Sequence, residues 1–316
     1  MTFSARVLAH SVARDIPPLI SMEITFPRII LAEFNTHRMF SRNSASSRAI
    51  PVEKMLRMVR ENPYIPSSWG KNQKGMQAEI DLDERDSSKA RDIWLHARDK
   101  AVEQAEKLLD VGVHKQLTNR LLEPFMWHTV IVTATDWSNF FHLRDNKMAH
   151  PDIQRIASMM RAEIDKSTPA FREKGDDHGG WHLPLIQEED LHFQRRALLG
   201  QRGDLTQAIG AAIETLIKIS VGRCARVSYL THDGKRDHDA DIRLHDDLLK
   251  NGHMSPFEHV ARPATVDDLR SSCASIPGDY RVAPALNQVY FGNLRGWVQY
   301  RKMVPNESDI LAGGGA

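Results

Sequence analysis

A strand that runs directly into a cluster of cations is the feature that most restricts how this chain can fold. In "SMEITFPRIILAEF" Met22, Ile24 and Phe26 alternate with polar residues, the period of a half-buried strand. The chain then turns into "THRMFSRNSASSRAIP", where His37, Arg38, Arg42 and Arg48 stand among Ser41, Ser44, Ser46 and Ser47. A core has little use for that mixture. A planar guanidinium matches phosphate oxygens, and hydroxyls with turn amides complete a cradle. Ser46 and Arg48 are two apart and point the same way in an extended segment. The stretch therefore reads either as a phosphate site beside a core strand or as a solvated loop with scattered arginines.

The rest of the chain mixes strand and helix patterns, so the class is α/β (α+β). "VEKMLRMVRE" reads as a short helix after the Arg/Ser turn, and a Pro/Gly/Ser-rich loop follows, "NPYIPSSWGKNQKGMQAE". From Ser87 to Asp110 the residues Trp94, Ala97, Ala101, Ala105 and Leu108 share one helical face, with Gly112 as a stop. "HTVIVTATDW" is a β-branched strand. Pro151 opens a helix that carries Ile153, Ile156, Met160 and Ile164. Asp204 and Gln207 resemble a capping box before a stripe of Leu205, Ile209, Ile213 and Ile217, expected to be buried. A further helix spans about Asp239 to Lys250 and stops at Gly252. Length alone would allow roughly two units of about 150 residues. With no clear linker or repeat, the expectation is one catalytic domain over residues 1–316.

Composition excludes several classes. Lys+Arg 42 against Asp+Glu 41 leaves a formal charge of +1, so no overall basic field attracts long nucleic acid and any anion site must be local. Two cysteines, Cys224 and Cys273, make no disulfide framework and fit a reducing cytosol. No apolar run of about 18 residues suits a membrane span. The N-terminus lacks the apolar core of a secretory signal, consistent with a cytoplasmic protein.

"HRMFSRNSASSR" is His-Arg, seven residues, Ser, one residue, Arg. It resembles the signature of the flavin-dependent thymidylate synthases, Arg-His-Arg, seven residues, Ser. "GVHKQLTNRLLEP…TDWSNFFHLRDNKMAHPDIQRIASMM" and "CARVSY…LLKNGHMSPFEHV" resemble two further segments of that family. There the "GHxxPFEH" segment precedes the His-Arg motif. Here Gly252 to His259 follows it, as in a circular permutation of a longer, phage-type variant. Loops at about 60–85 and 170–200, and the tail around Tyr290 to Arg301, have no counterpart in shorter members. Thr36 stands where the motif has its first Arg, Glu33 where Gln is common, and Ser44 where an acidic residue is common. In the family each of these positions touches the flavin or nucleotide wall.

The resemblance implies roles for particular residues. Ser44, Ala45, Ser46, Ser47, Arg48 and Arg120 would hold the phosphate of dUMP, and Arg144 would lie against the pyrimidine ring as the catalytic cation. Thr36, His37, Arg38, Asn43, Asn139, Ser228, His253 and Ser255 would hold FAD. The implied reaction moves a one-carbon unit from methylenetetrahydrofolate to C5 of dUMP, with NADPH as reductant, in a homotetramer. No metal is implied. From the residues alone, Arg144 could instead pair with Asp145, and His253 could sit on a helix C-terminus. Three rival readings remain open at this point. The pairs His232-Asp233, His238-Asp239 and His245-Asp246 could serve a metal-dependent phosphohydrolase. The same fold could make a 5-hydroxymethyl product from dUMP or dCMP, or bind nucleotide without turnover.

Overall fold

The computed structural model describes residues 1–199, 204–227, 237–273, 285–305 and 307. Five strands build one mixed sheet: β1 (Ser4–Ala13), β2 (Ile16–Pro27), β3 (Ser41–Ser44), β4 (Trp127–Ala134) and β5 (Ala170–Phe171). Their spatial order is β3-β4-β2-β1-β5, with β5 alone parallel to its neighbour. Four short strands follow, β6 (Ala261–Pro263), β7 (Tyr290–Phe291), β8 (Leu294–Arg295) and β9 (Trp297–Gln299), paired β6 with β9 and β7 with β8.

The helices are α1 (Leu31–Phe34), α2 (Val52–Glu61), α3 (Glu84–Asp110), α4 (Lys115–Thr118) and α5 (Ser138–Arg144). They continue with α6 (Pro151–Lys166), α7 (Glu188–Leu199), α8 (Leu205–Val227), α9 (His238–Lys250) and α10 (Val266–Cys273). Among the described residues no helix is long and apolar enough to cross a membrane. The expected stops hold: Gly112 and Gly252 take φ of 83° and 69°, a region that favours glycine.

The strand register sorts side chains onto two unlike faces, because directly paired residues share a face. One face carries the rows Val132, Met22, Val7 and Val130, Ile24, Ala5. It packs on Ile153, Ile156, Ala157 and Met160 of α6 to form the largest core. The other face is rich in hydroxyls. Ser21 bonds Thr133 at 2.5 Å and Thr25 bonds Thr129 at 2.9 Å. The C-terminal half of α8 covers this face, with Cys224 and Val227 against Ile131. β2 is therefore buried on both sides rather than half-buried, and its polar residues meet hydroxyl partners instead of water.

Two expected helix faces are corrected. On α8 Leu205 is 64% and Ile209 43% exposed, and the buried stretch begins at Leu216, because the N-terminal half of the helix runs past the core. On α3 Ala97 is exposed, and the neighbouring Arg98 docks its guanidinium on the carbonyls of Val59 and Arg60, each at 3.1 Å. α7, α8 and α9 are tied by the buried Arg223, which donates to Asp190 at 2.6 and 2.8 Å and to Asp241 at 3.0 Å.

A buried polar chain crosses the sheet. His182 Nδ1 meets Ser11 Oγ at 2.8 Å and its Nε2 meets Ser21 Oγ at 2.7 Å; Thr133 Oγ1 then meets His259 Nδ1 at 2.8 Å. Burial pushes His182 well below the usual imidazole range, and pushes His259 and His128 down to about 3. Each is neutral when folded but takes a proton near pH 6.5 when unfolded, so the unfolded chain binds more protons below that pH. This contribution to stability is full above pH 6.5 and is lost as pH falls toward 3. A melting-temperature profile should fall through that window, and His259→Gln, which keeps a partner for Thr133, should flatten it. An unchanged slope in that variant would show that His259 is not buried as a neutral ring.

Candidate functional site

Between β2 and β3 the chain folds over an aromatic wedge. Phe34, Phe40 and Phe140 are buried together, and the His37 ring meets Phe140 edge-on at 4.9 Å. Burying Phe140 docks α5, whose last residue is Arg144. Its Nε donates to His37 Nε2 at 2.9 Å and its Nη2 to Thr36 Oγ1 at 3.1 Å. The Thr36 hydroxyl donates to the Glu33 carbonyl at 2.7 Å. A guanidinium only donates, so His37 Nε2 must be bare and the neutral ring carries its proton on Nδ1. Burial and the cations Arg144 and Arg42 lower the His37 pKa to about 4. Asp145 does not pair with Arg144; it pairs with Arg161 at 3.0 Å.

β3 divides the next residues between the two faces. Ser41 and Asn43 point inward. Asn43 donates to the Cys224 carbonyl at 2.8 Å and accepts from Ser255 Oγ at 3.1 Å. Ser41 donates to Asn293 Oδ1 at 3.1 Å and accepts from Gln299 Nε2 at 2.9 Å. Asn293 also donates to the Met39 carbonyl at 3.2 Å. The tail thus buttresses the motif, a role that no local pattern in Asn293 or Gln299 could reveal. Arg42 and Ser44 lie on the opposite face and are only partly buried.

Beyond β3, the Ala45 amide donates to the Thr129 carbonyl at 3.2 Å. Ser47 is buried and donates to Glu123 Oε1 at 2.7 Å. Glu123 is flanked by Arg28 at 3.0 Å and Arg120 at 3.5 Å. Asn119 holds the turn by donating to the Ser47 and Ile50 carbonyls at 2.7 and 2.9 Å. Arg48 is exposed, as are Arg38, Asn139 and His253. The predicted residues are therefore joined in three groups: Thr36 with His37 and Arg144, Asn43 with Ser255, and Ser47 with Arg120 through Glu123. Ser228 lies outside the described residues.

The arginines of the Arg/Ser stretch differ from several others in what they contact. Arg223, Arg295, Arg262 and Arg301 each contact a carboxylate. Arg38, Arg42 and Arg48 have none among the described residues, and Arg144 rests on two neutral groups. Of the described His-Asp pairs, His238 bonds Asp190 and His245 bonds its own neighbour Asp246, each at 2.8 Å, while His232-Asp233 lies outside the described residues. Among the described residues no three His, Cys, Asp or Glu side chains gather as a metal site. Burial pushes the Cys224 thiol up, away from a nucleophilic thiolate. A cavity of about 380 Å³ opens on the hydroxyl-rich face between Ser4, Arg6, Glu23, Thr25, Thr129 and Val227, and none of the predicted site residues lines it.

The Arg144–His37 bond makes a direct prediction. A nitrogen-15 NMR titration should find His37 as the Nδ1–H tautomer with a midpoint near 4. A midpoint near the ordinary value of 6.5 would mean that the ring is neither buried nor held against Arg144.

Comparison with known proteins bears on the same stretch. Residues 18–170 match the family model of Thy1, the thymidylate synthase complementing protein. No curated protein matches the chain. Among solved structures the chain is similar to the UMP/dUMP methylase PolB from Streptomyces cacaoi bound with 5-Br dUMP, at 15% identity and a TM-score of 0.42, covering 52% of this chain and 90% of that one. The same methylase bound with 5-Br UMP gives 15% identity and a TM-score of 0.43, over 52% of this chain and 89% of that one. The segment that carries His37, the Arg/Ser loop and Arg144 lies within the match to the Thy1 family model, and over residues 18–170 the resemblance to the flavin-dependent thymidylate synthases is borne out.

Proposed function

We propose that the protein transfers a one-carbon unit from methylenetetrahydrofolate to C5 of dUMP, giving dTMP, with FAD and NADPH as its redox partners. The observation that carries this reading is the set of uncompensated cations within the Thy1 segment: Arg38, Arg42 and Arg48 without carboxylates, and Arg144 on neutral acceptors. Ser44, Ala45, Ser46, Ser47, Arg48 and Arg120 would line the site of the nucleotide phosphate. Arg144, held by neutral His37 and by Thr36, would place a permanent positive charge against the pyrimidine ring. That charge would stabilise an anionic ring, the form whose C5 attacks the one-carbon unit.

The residues present fit a flavin. Arg38, Asn139 and His253 are exposed and make no side-chain hydrogen bond among the described residues, so a cation, an amide and an imidazole are available to a ligand. With Asn43, Ser228 and Ser255 they would hold FAD, which when bound and reduced supplies the hydride that completes the methyl group. The chain orients the ring and neutralises its charge.

We also read residues 1–316 as one permuted catalytic domain, with loops at about 60–85 and 170–200 added. The 3-10 turn Ser255–Glu258 of "GHMSPFEH" packs on β3 through Ser255 and Asn43, so reversing the segment order need not separate them. Exposed Leu205 and Ile209 support a homo-oligomer, proposed as a tetramer. Thr36, Glu33 and Ser44 depart from the family pattern, which favours a 5-hydroxymethyl pyrimidine product as the second reading.

The purified protein should show a flavin spectrum that shifts on anaerobic titration with dUMP. A colourless protein that takes up no FAD and ignores dUMP would remove the reading. Product mass separates methyl from hydroxymethyl, and binding without turnover would leave a nucleotide-binding module. Arg48→Ala should weaken dUMP roughly ten- to a hundredfold, about 1.5–3 kcal/mol for one charge-assisted contact. Affinity within twofold of wild type would place the phosphate elsewhere. Light scattering that finds a monomer would end the tetramer proposal.

A further inference from the structure

Arg42 stands in an apolar row. On β3 it pairs with Val132, and the row continues through Met22 to Val7, on the face that packs against α6. Its Nη1 is buried and has no hydrogen-bond partner. Arg38, four residues earlier, is close enough to repel it. The carboxylate that attracts it, Glu258, is held instead by Arg301 Nη1 at 2.5 Å, and Arg301 is anchored in turn by Glu307. Arg223 shows what a withdrawn guanidinium normally receives: two carboxylates and the Leu185 carbonyl. A buried charged N–H without an acceptor is among the more destabilising arrangements a fold can hold, and the described residues supply no acceptor for it.

We infer that Arg42, with Arg38 beside it, forms an oxyanion site at the start of β3 that takes a phosphoryl group of a ligand. Ser44, which opens the Ser44–Arg48 loop, lies two residues on along the same face, and Arg38 is proposed to hold the flavin, so the inference rests on that reading for its second guanidinium; Arg42 itself is assigned to neither ligand. Two guanidinium forks suit a phosphoryl oxyanion because each can present parallel N–H donors to its oxygens. The tail makes the site possible: by occupying Glu258, Arg301 keeps that carboxylate from neutralising Arg42.

The test uses the full chain in an Arg48→Ala background, so that the loop contributes little. Without ligand, adding Arg42→Met should leave the melting temperature unchanged or raise it, because the substitution removes a buried donor that lacks a partner. Inorganic pyrophosphate should raise the melting temperature of the background protein saturably, and its affinity by calorimetry should fall at least tenfold on adding Arg42→Met. Arg42→Lys, which keeps the charge but not the fork, should fall between. A preference for ADP over inorganic phosphate would identify a nucleotide cofactor as the source, and equal affinity would identify free phosphate; both support the site. If Arg42→Met melts several degrees lower without ligand, the guanidinium already has a protein partner, a second copy included, and the inference fails. It fails equally if pyrophosphate binds both proteins alike or neither.

Discussion

The four-residue pairing of β3 with β4 is the constraint on which the rest of the site depends. Ser41 faces Thr133, Arg42 faces Val132, Asn43 faces Ile131 and Ser44 faces Val130. Alternate residues go to opposite sides of the sheet, so this register sends Arg42 and Ser44 one way and Ser41 and Asn43 the other. A slip of one position would exchange them and put a guanidinium into the hydroxyl-rich interior. So short an edge strand cannot hold its register by ladder bonds alone. It is pinned by side chains from far along the chain: Asn293 and Gln299 on Ser41, and Ser255 with the Cys224 carbonyl on Asn43.

The electrostatics follow from that placement. The chain as a whole is almost neutral, with a formal charge of +1. At the motif Arg38, Arg42 and Arg48 contact no carboxylate among the described residues, while several carboxylates are held by other arginines. Arg301 holds Glu258, Arg295 holds Asp136, Arg161 holds Asp145, and Arg28 with Arg120 flanks Glu123. Each pairing keeps a negative charge from collapsing onto Arg38, Arg42, Arg48 or Arg144. Neutral His37 has the same effect, since it orients Arg144 without cancelling its charge. An anion-binding surface needs this kind of restraint as much as it needs arginines.

Much of the fold was legible from periodicity. The strand at Trp127–Ala134, the helix opened by Pro151 and the stops at Gly112 and Gly252 rest on local chemistry, and the structure has them where the pattern puts them. The stripe on α8 misled, because a helical pattern shows which side is apolar but not how far the core extends to cover it. β2 misled for a related reason. Its Ser21 and Thr25 look solvent-facing, but Thr133 and Thr129 on the neighbouring strand give them partners in the interior. Of the candidate site, the Arg/Ser loop was visible as chemistry and Arg144 only through the family resemblance. The choice between Asp145 and another partner for Arg144 was not, since it depends on where α6 brings Arg161.

By itself the sequence determined the residue types at the site, the Thy1 pattern over residues 18–170, and the alternation that places cations and hydroxyls directly after a core strand. These are local facts, set by neighbours within a few positions. Only the tertiary structure decided which cations stay unpaired, because that depends on carboxylates distant in the chain and on what already holds them. It also decided that Arg144 rests on His37, 107 residues earlier, and that Arg42 lies in an apolar row with a buried donor and no acceptor. Charge compensation and burial are properties of the assembled fold, and a linear pattern does not contain them.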